Sequence, residues 1–265
     1  MKRTTKRRLT HLVLYAVLLV LAVAVALLLD WGRLQENFLN LNGLGDNLSA
    51  LILTGVRNTL GYTVVAFGGG LVLAFALALM KLSPVLPYRW LATVWVEFFR
   101  GVPSLIVILG MAFGVPIATG WTPPPGGPVG AGLLGLVFVA SAYIAETLRA
   151  GIQAVPKGQA EAARSLGMSS GWTMTSVVMP QALRIVVPPL TNEFVLLIKD
   201  TALLFVIGLA ASQRELTTLG RDLMTSGPTA GTATSLTLAA LLYLAITLPL
   251  TRLVAWMETR QNRSR

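Results

Sequence analysis

Four polar or ionisable residues lie close together in a segment long enough to span a membrane, and their types can complement a charged solute. Asn192 and Lys199 are seven residues apart, so they share one face of a helix. Glu193 and Asp200 have the same spacing and share a neighbouring face. Near the middle of a bilayer, such groups can bind the carboxylate and the ammonium of a zwitterion. An alternative of equal weight is that these residues form polar contacts that lock two subunits together and do not touch the solute.

Two further acid–base pairs lie inside apolar segments. Glu97 and Arg100 are three residues apart, and Glu146 and Arg149 have the same spacing. Each pair therefore shares a helix face and can form an ion pair. An ionisable group within a membrane span costs about 2.5–3.5 kcal/mol on insertion scales, and pairing reduces this cost. We expect structural ion pairs near the cytoplasmic ends of their spans, in preference to contacts with a solute.

Residue types needed for catalysis or metal binding are scarce. The chain has no cysteine and one histidine, His11, which excludes thiol nucleophiles and thiolate metal sites. No Gly-x-x-x-x-Gly-Lys-Ser/Thr segment occurs, so the loop that binds phosphates in many nucleotide-hydrolysing proteins is missing. The sequence predicts no enzymatic activity, no metal and no cofactor in this chain.

The composition is that of an integral membrane protein. Of the 265 residues, 54% are hydrophobic and only 12% are charged, and the mean hydropathy is +0.71. The net charge of +10 comes from Lys and Arg at the ends of apolar segments, without interleaved aromatic residues. This distribution argues against a nucleic-acid partner.

Six segments are long enough to cross a bilayer. Residues 12–29 form an uncharged run that is too long for the apolar region of a signal peptide and lacks a persuasive cleavage site. The other five predicted spans are at about 54–80, 91–118, 130–150, 184–208 and 231–256. In the fifth span, Pro188 and Pro189 withdraw backbone donors and should kink or break the helix.

Basic residues are distributed unequally between the two sides that six spans define. The side that holds both termini carries fifteen Lys and Arg, and the opposite side carries four. Because basic loops stay in the cytoplasm, both termini and the loop between the fourth and fifth spans are predicted to be cytoplasmic.

That predicted cytoplasmic loop is a polar, helix-forming segment between two apolar spans. Its sequence from Glu161 to Pro180 is EAARSLGMSSGWTMTSVVMP. Residues 159–166 are mostly good helix formers, and Gly167 can adopt the left-handed conformation that ends a helix. Ser169 or Ser170 can cap a second helix, which Pro180 then limits. The pattern predicts a helix-turn-helix outside the bilayer.

One side of this predicted helix-turn-helix is suited to contact with another protein. Glu161 and Arg164 are three residues apart and share a face. Ala162, Ala163 and Leu166 form a small apolar surface that allows close approach of a partner. We expect a docking surface here, in preference to a catalytic site.

The spacing of the loop resembles the coupling loop of bacterial ATP-binding-cassette (ABC) importer permeases. In that family EAA is followed by three residues, Gly, nine residues and Ile-x-Leu-Pro, and here Val177 and Met179 stand in the last two apolar slots. The resemblance implies that the ATPase-coupling element consists of Glu161, Ala162, Ala163, Gly167 and Pro180.

Other segments resemble the permeases for polar amino acids in particular, and the match covers roughly residues 54–255. Val102 stands where the family often has Thr in its EFFRGTP segment, and the span at 12–29 is an addition to the five of many members. The resembling segments are Thr54–Leu60, Val96–Pro103, Ala142–Glu146, Arg149–Gln159, Pro180–Arg184, Pro188–Phe194 and Leu197–Thr201.

The resemblance implies an all-α integral membrane protein with the type I ABC importer permease fold and about six transmembrane helices. Residues 1–53 would hold the basic N-terminus, the extra span and an external loop. Residues 54–258 would form the permease domain, with its coupling loop at 152–182, and residues 259–265 a cytoplasmic tail.

As to function, the resemblance implies import of a polar amino acid across the bacterial plasma membrane by alternating access. ABC ATPase subunits, which bind ATP and Mg, would supply the energy. A second permease subunit, the same or homologous, and an extracytoplasmic solute-binding protein would complete the assembly. The alternatives are an ion-coupled secondary transporter, which would work without an ATPase, and a membrane-embedded enzyme, for which no catalytic set of residues is present.

Overall fold

The computed structural model describes residues 3–40, 44–121 and 127–263, and within these ranges it contains helices and turns but no strand. Thirteen α-helices lie in these ranges, and short 3₁₀ turns follow α11. The helices are α1 Arg3–Leu28, α2 Trp31–Phe38, α3 Leu44–Ala50, α4 Arg57–Leu82, α5 Leu86–Gly101, α6 Ser104–Leu109, α7 Val115–Thr119, α8 Pro128–Gln153, α9 Lys157–Ser165, α10 Ser170–Thr173, α11 Met179–Asp200, α12 Leu216–Ser226 and α13 Thr234–Arg263.

Several of these helices are long and apolar enough to cross a membrane. By length and composition, four described segments qualify, and the bent pair of Leu86–Gly101 and Ser104–Thr119 would be a fifth span. The four are Thr10–Leu28, Gly45–Leu82, Pro128–Gln153 and Thr234–Gln261. With the bent pair counted as one span, these segments match five of the six predicted spans. The remaining prediction falls on α11, which is not among the qualifying helices.

The predicted span at 91–118 is not one continuous helix. It divides at Val102 and Pro103, and its two halves are bent by 105°. Val102 is extended, with φ −89° and ψ 132°, because a residue that precedes proline is driven out of the helical region. The two halves therefore run in different directions, as in a broken or re-entrant segment.

Of the kink or break predicted at Pro188 and Pro189, the break does not occur, because α11 is helical through both residues. Pro188 removes the hydrogen bond that the carbonyl of Arg184 would otherwise accept. That carbonyl accepts instead from the side-chain amide of Gln261 at the end of α13. The helix ends at Asp200, where a 3₁₀ turn over Thr201–Ile207 follows, so the predicted boundary at 208 lies past the α-helix.

The centre of the fold is the contact between α4 and α8. Fourteen residues of α8 are buried, and the core cluster around them includes Ala66 and Ala74 of α4 and Val186 of α11. A Cβ atom placed on Gly70 would lie 2.8 Å from the Cβ of Ala140, which is too close for two carbon atoms. Small residues thus bring the two backbones together, as membrane helices require.

A second constraint is the fully buried carboxylate of Glu215, which caps the first turn of α12. Its oxygens accept hydrogen bonds from the backbone of Thr217 (2.6 Å) and of Thr218 (2.6 Å). They also accept from the hydroxyls of Thr218 (2.5 Å) and of Tyr243 on α13 (3.2 Å). The charged group is therefore surrounded by donors, which offsets the cost of burying it.

The segment before Glu215 is fixed to α4 by side-chain hydrogen bonds. Asn58 donates to the carbonyls of Ser212 and Arg214, each at 2.9 Å. Tyr62 donates to the carbonyl of Gln213 at 2.7 Å. Because this segment has little regular structure, its backbone groups depend on these side chains for partners.

The helix α1 stands apart from this core. None of the residues in its most apolar stretch, within Thr10–Leu28, is buried against the rest of the chain. The short helix α2 that follows is attached: the backbone of Asn40 after it donates to the hydroxyl of Thr234 at 3.0 Å.

Replacing Gly70 with alanine should destabilise the fold, because the new methyl group would collide with Ala140. Overpacking of this kind costs about 1–3 kcal/mol. Gly68→Ala is the matched control, since nothing lies within 4 Å of a Cβ at that position. Thermal unfolding in mild detergent, followed by tryptophan fluorescence, should show a lower midpoint for Gly70→Ala alone. Equal midpoints for the two variants would contradict this account of the helix contact.

The variant Glu215→Gln should also be less stable. Both carboxylate oxygens of Glu215 accept hydrogen bonds, and in glutamine one of them is replaced by an NH₂ group that cannot accept. Loss of one hydrogen bond to a buried charged group costs about 1.5–3 kcal/mol. The exposed Glu258→Gln serves as the control in the same unfolding experiment. An unchanged midpoint for Glu215→Gln would mean that the capping hydrogen bonds contribute little.

Candidate functional site

The loop between α8 and α11 begins with a short helix, α9, that ends as its sequence predicts. Gly167 has φ +87°, in the left-handed region that favours glycine. Its N–H donates to the carbonyl of Arg164 (3.0 Å), and the N–H of Met168 donates to the carbonyl of Ala163 (3.2 Å). This pair of bonds is the Schellman motif. It fixes the angle at which the chain leaves α9.

The second half of the loop is helical but does not stop at Pro180. The hydroxyl of Ser169 caps α10 by accepting from the N–H of Trp172 at 3.4 Å. The helix then continues through a π-helical turn over Met174–Val178 directly into α11. Pro180 is the second residue of α11, within this continuous helical stretch. The expected boundary at Pro180 is therefore wrong, and α10 is mechanically joined to α11.

The loop presents one face outward and packs the other against the spans. Glu161 and Ala162 are exposed, and so are Leu166 and Trp172, at 86% and 64%. Ala163, by contrast, is 6% exposed. Ala163, which the sequence groups with the docking surface, therefore faces the spans of this subunit, about 100° around the helix from Ala162.

An apolar cluster holds the loop onto the ends of the neighbouring helices. Ile152 and Val155 at the end of α8 pack with Val178 and Ala182 at the start of α11, and Ala160 of α9 and Met174 pack against them. A displacement of α9 must therefore move α8 and α11 or open this cluster.

Just before the loop, three charged side chains join α4 to α8. Arg149 forms a salt bridge with Glu146 through two nitrogens, with Nε 3.1 Å from Oε2. Lys81, at the end of α4, places Nζ 3.0 Å from the same oxygen. The sequence pointed to Glu146 and Arg149 but not to Lys81, which lies 65 residues away. The cluster ties the two central helices together beside the loop.

The expected pair of Glu97 and Arg100 is not formed among the described residues. Glu97 is exposed. The guanidinium of Arg100 lies 5.5 Å from the ring centroid of Tyr143 on α8, a cation–π contact. A spacing of three residues permits an ion pair but does not require one, and here Arg100 reaches toward the neighbouring helix.

Two of the four predicted pathway residues line a common cavity. Glu193 and Asp200 of α11 face a cavity of about 210 Å³ together with Tyr143 and Ser104. Arg100 lies near enough to interact electrostatically with Glu193. The cavity is thus bordered by two carboxylates, a phenol and a hydroxyl, a set that can bind a small polar solute.

The other two predicted pathway residues lie elsewhere on α11. Asn192 and Lys199 are exposed and are not among the residues that line this cavity. The predicted division of the four residues into two faces agrees with their placement. Glu215, which sequence reasoning missed, belongs to a structural network. Glutamate is not among the residues usually found at a helix N-cap, so the sequence gives no clear signal for this role.

No group of three or more His, Cys, Asp or Glu that could hold a metal ion is found in the described ranges.

Comparison with known proteins assigns the chain to a family. A family model described as "Binding-protein-dependent transport system inner membrane component" matches residues 70–263. The chain is 36% identical to the probable glutamine ABC transporter permease protein GlnM of Bacillus subtilis (strain 168), over 85% of this chain and 100% of that protein. It is 33% identical to the glutamate/aspartate import permease protein GltK of Escherichia coli O157:H7, over 79% of this chain and 92% of that protein.

A solved structure has the same arrangement of helices. The crystal structure of an amino acid ABC transporter with histidines contains a chain that superimposes with a TM-score of 0.68 at 33% identity, covering 80% of this chain and 94% of that chain. The family match, the relatives and this structure agree with the all-helical fold described above. The chain therefore belongs to the family of binding-protein-dependent transport system inner membrane components, as a permease subunit of an ABC importer.

Proposed function

We propose that this permease carries a polar amino acid into the cell and that separate ATPase subunits hydrolyse the ATP that drives it. The observation that carries the proposal is the loop between α8 and α11. It exposes Glu161, Ala162, Leu166 and Trp172, which we call the exposed rim, while its inner side is packed onto α8 and α11. The names of the relatives, which refer to glutamine and to glutamate/aspartate, support an amino acid as the solute.

The coupling element works as a docking surface with a rigid support. Glu161, Ala162 and Gly167, with Leu166 and Trp172 beside them, form the part that enters a groove of the ATPase. Ala163 is buried on the inner side of α9, and Pro180 lies in the first turn of α11, the helix into which the loop continues. Closure of the ATPase pair on binding ATP displaces α9, and the packed ends of α8 and α11 follow. The spans thereby exchange an inward-facing for an outward-facing arrangement.

The solute passes along α11. Glu193 and Asp200 border the polar cavity beside α8 and offer carboxylates to an ammonium group. Asn192 and Lys199 face away from this subunit, where a pathway shared with a second permease subunit runs. Lys199 there offers an ammonium to a carboxylate.

The working assembly contains more than this chain. It comprises a second permease subunit, the same or homologous, two ABC ATPases that bind ATP and Mg, and an extracytoplasmic solute-binding protein. The excess of basic residues on one side supports a cytoplasmic location for both termini and the coupling loop, with the chain in the plasma membrane of a bacterium.

Substituting Gly167 with valine should release the ATPase. A side chain in the left-handed region costs roughly 1–2 kcal/mol, so the end of α9 shifts away from the docking geometry. Affinity purification in mild detergent followed by mass spectrometry should find a stoichiometric partner with a phosphate-binding loop on the wild-type chain. The amount retained by Gly167→Val should fall by about tenfold, the factor that corresponds to 1.4 kcal/mol.

The matched control is Gly171→Val, which lies in the same loop with open space around a Cβ and without a left-handed φ. It should retain the partner at the wild-type level. A wild-type chain that purifies alone, yet moves solute down an ion gradient in liposomes, would instead support the secondary transporter.

The double variant Glu193→Gln, Asp200→Asn should lose transport while the assembly stays intact. Both changes keep the side-chain shape and remove the two carboxylates that border the cavity. Substrate-stimulated ATPase activity and uptake in liposomes should fall by about tenfold or more, as expected for the loss of more than one charged contact of 1.5–3 kcal/mol.

The exposed Glu258→Gln is the control for charge and should transport normally. Loss of the second permease subunit from the purified double variant would favour the polar lock between subunits. Normal uptake by the double variant would refute a role for this cavity in the pathway.

A further inference from the structure

A groove between α11 and α13 has a lining that transport does not explain. It encloses about 440 Å³ and is lined by Arg184, Val187, Pro188, Trp256, Met257, Arg260 and Gln261. The side-chain amide of Gln261 donates to the carbonyl of Arg184, so the groove lies where the start of α11 meets the end of α13. This is the end of the bundle from which the coupling loop also projects.

Two arginines provide positive charge at this groove. Arg184 and Arg260 are exposed, and no salt bridge in the described part of the chain includes either of them. The guanidinium of Arg260 lies 5.3 Å from the ring centroid of Trp256, a contact that keeps its positive charge. Glu258 is two residues from Arg260, a spacing that does not bring two side chains face to face. The charge of the groove is thus free for an anion.

The remainder of the lining is apolar and continues along both helices. Val187 and Trp256 are 45% and 55% exposed, and Leu183 and Leu253, one turn away from them, are 48% and 44% exposed. Tryptophan favours the interface between the acyl chains and the headgroups of a bilayer. An occupant of the groove therefore meets positive charge at one end and an apolar track beside it.

We propose that this groove binds an anionic phospholipid of the inner leaflet. Its phosphate lies between Arg184 and Arg260, whose planar guanidinium groups match phosphate oxygens. One acyl chain runs along Val187, Pro188 and Trp256. Basic pockets between spans on the cytoplasmic side recognise lipid headgroups in this way. A free phosphate would use only the arginines and would leave the apolar track exposed to water, which is why a lipid is the occupant. The proposal does not depend on which solute is transported.

The test uses the full-length chain in mild detergent and native mass spectrometry, with dioleoyl-phosphatidylglycerol as the probe and dioleoyl-phosphatidylcholine as the neutral comparison. The wild-type chain should retain the anionic lipid in preference to the neutral one. Arg184→Gln with Arg260→Gln should lower this retention by about tenfold or more, since each arginine near an anionic surface contributes a factor of roughly five.

Two variants control for charge and for folding. Arg252→Gln removes an exposed arginine of α13 that does not line the groove and should retain the lipid. Arg184→Lys with Arg260→Lys keeps the charge and should recover part of the retention. Equal retention by the wild-type chain and the double glutamine variant would overturn the proposal. Displacement of the lipid by millimolar inorganic phosphate would also overturn it, in favour of a soluble anion.

A second copy of the chain is the remaining occupant to exclude. Since the chain has no cysteine, Val187→Cys introduces a single reactive thiol beside the groove. In native membranes this variant should form no disulfide-linked dimer on oxidation, because a lipid covers this face. A disulfide-linked dimer would place another copy there and contradict the lipid site.

Discussion

The close approach of α4 and α8 is the constraint on which the rest of the structure depends. Lipid offers no hydrophobic force between two apolar helices, so their association depends on backbones that pack closely. Gly70 opposite Ala140 permits that approach. Once it is made, the end of α4 brings Lys81 to Glu146, and the salt bridge fixes the two helices at the level from which the coupling loop leaves α8.

The same geometry makes the loop part of the spans. Its second helix is continuous with α11 through the π-helical turn at Met174–Val178, and its first helix is held by the cluster around Val155 and Val178. A displacement of the exposed rim is therefore transmitted to both α8 and α11. Since Tyr143 of α8 and Glu193 of α11 border one cavity, relative movement of these two helices must change its shape.

Sequence reasoning succeeded where structure is decided locally. The left-handed Gly167 and the capping Ser169 depend on a few neighbouring residues, and span lengths follow from apolar runs. It failed where partners are distant in the chain. Lys81 is 65 residues from Glu146, and Glu97 was paired with Arg100 only because spacing allowed it. Burial of Ala163 likewise depends on which side of α9 meets the spans. Ala160, Ala162 and Ala163 are equally small, so the sequence does not show which of them faces inward.

The intact α11 illustrates how tertiary contacts override a local rule. Two adjacent prolines inside a helix leave two carbonyls without intrahelical donors, and such groups need partners from elsewhere. The donor for the carbonyl of Arg184 comes from Gln261, 77 residues later. That bond does more than satisfy one carbonyl. It attaches the end of α13 to the first turns of α11, so the helix that is continuous with the coupling loop carries α13 with it. Pro188 thus weakens α11 as a helix and, by freeing a carbonyl, strengthens its attachment to α13.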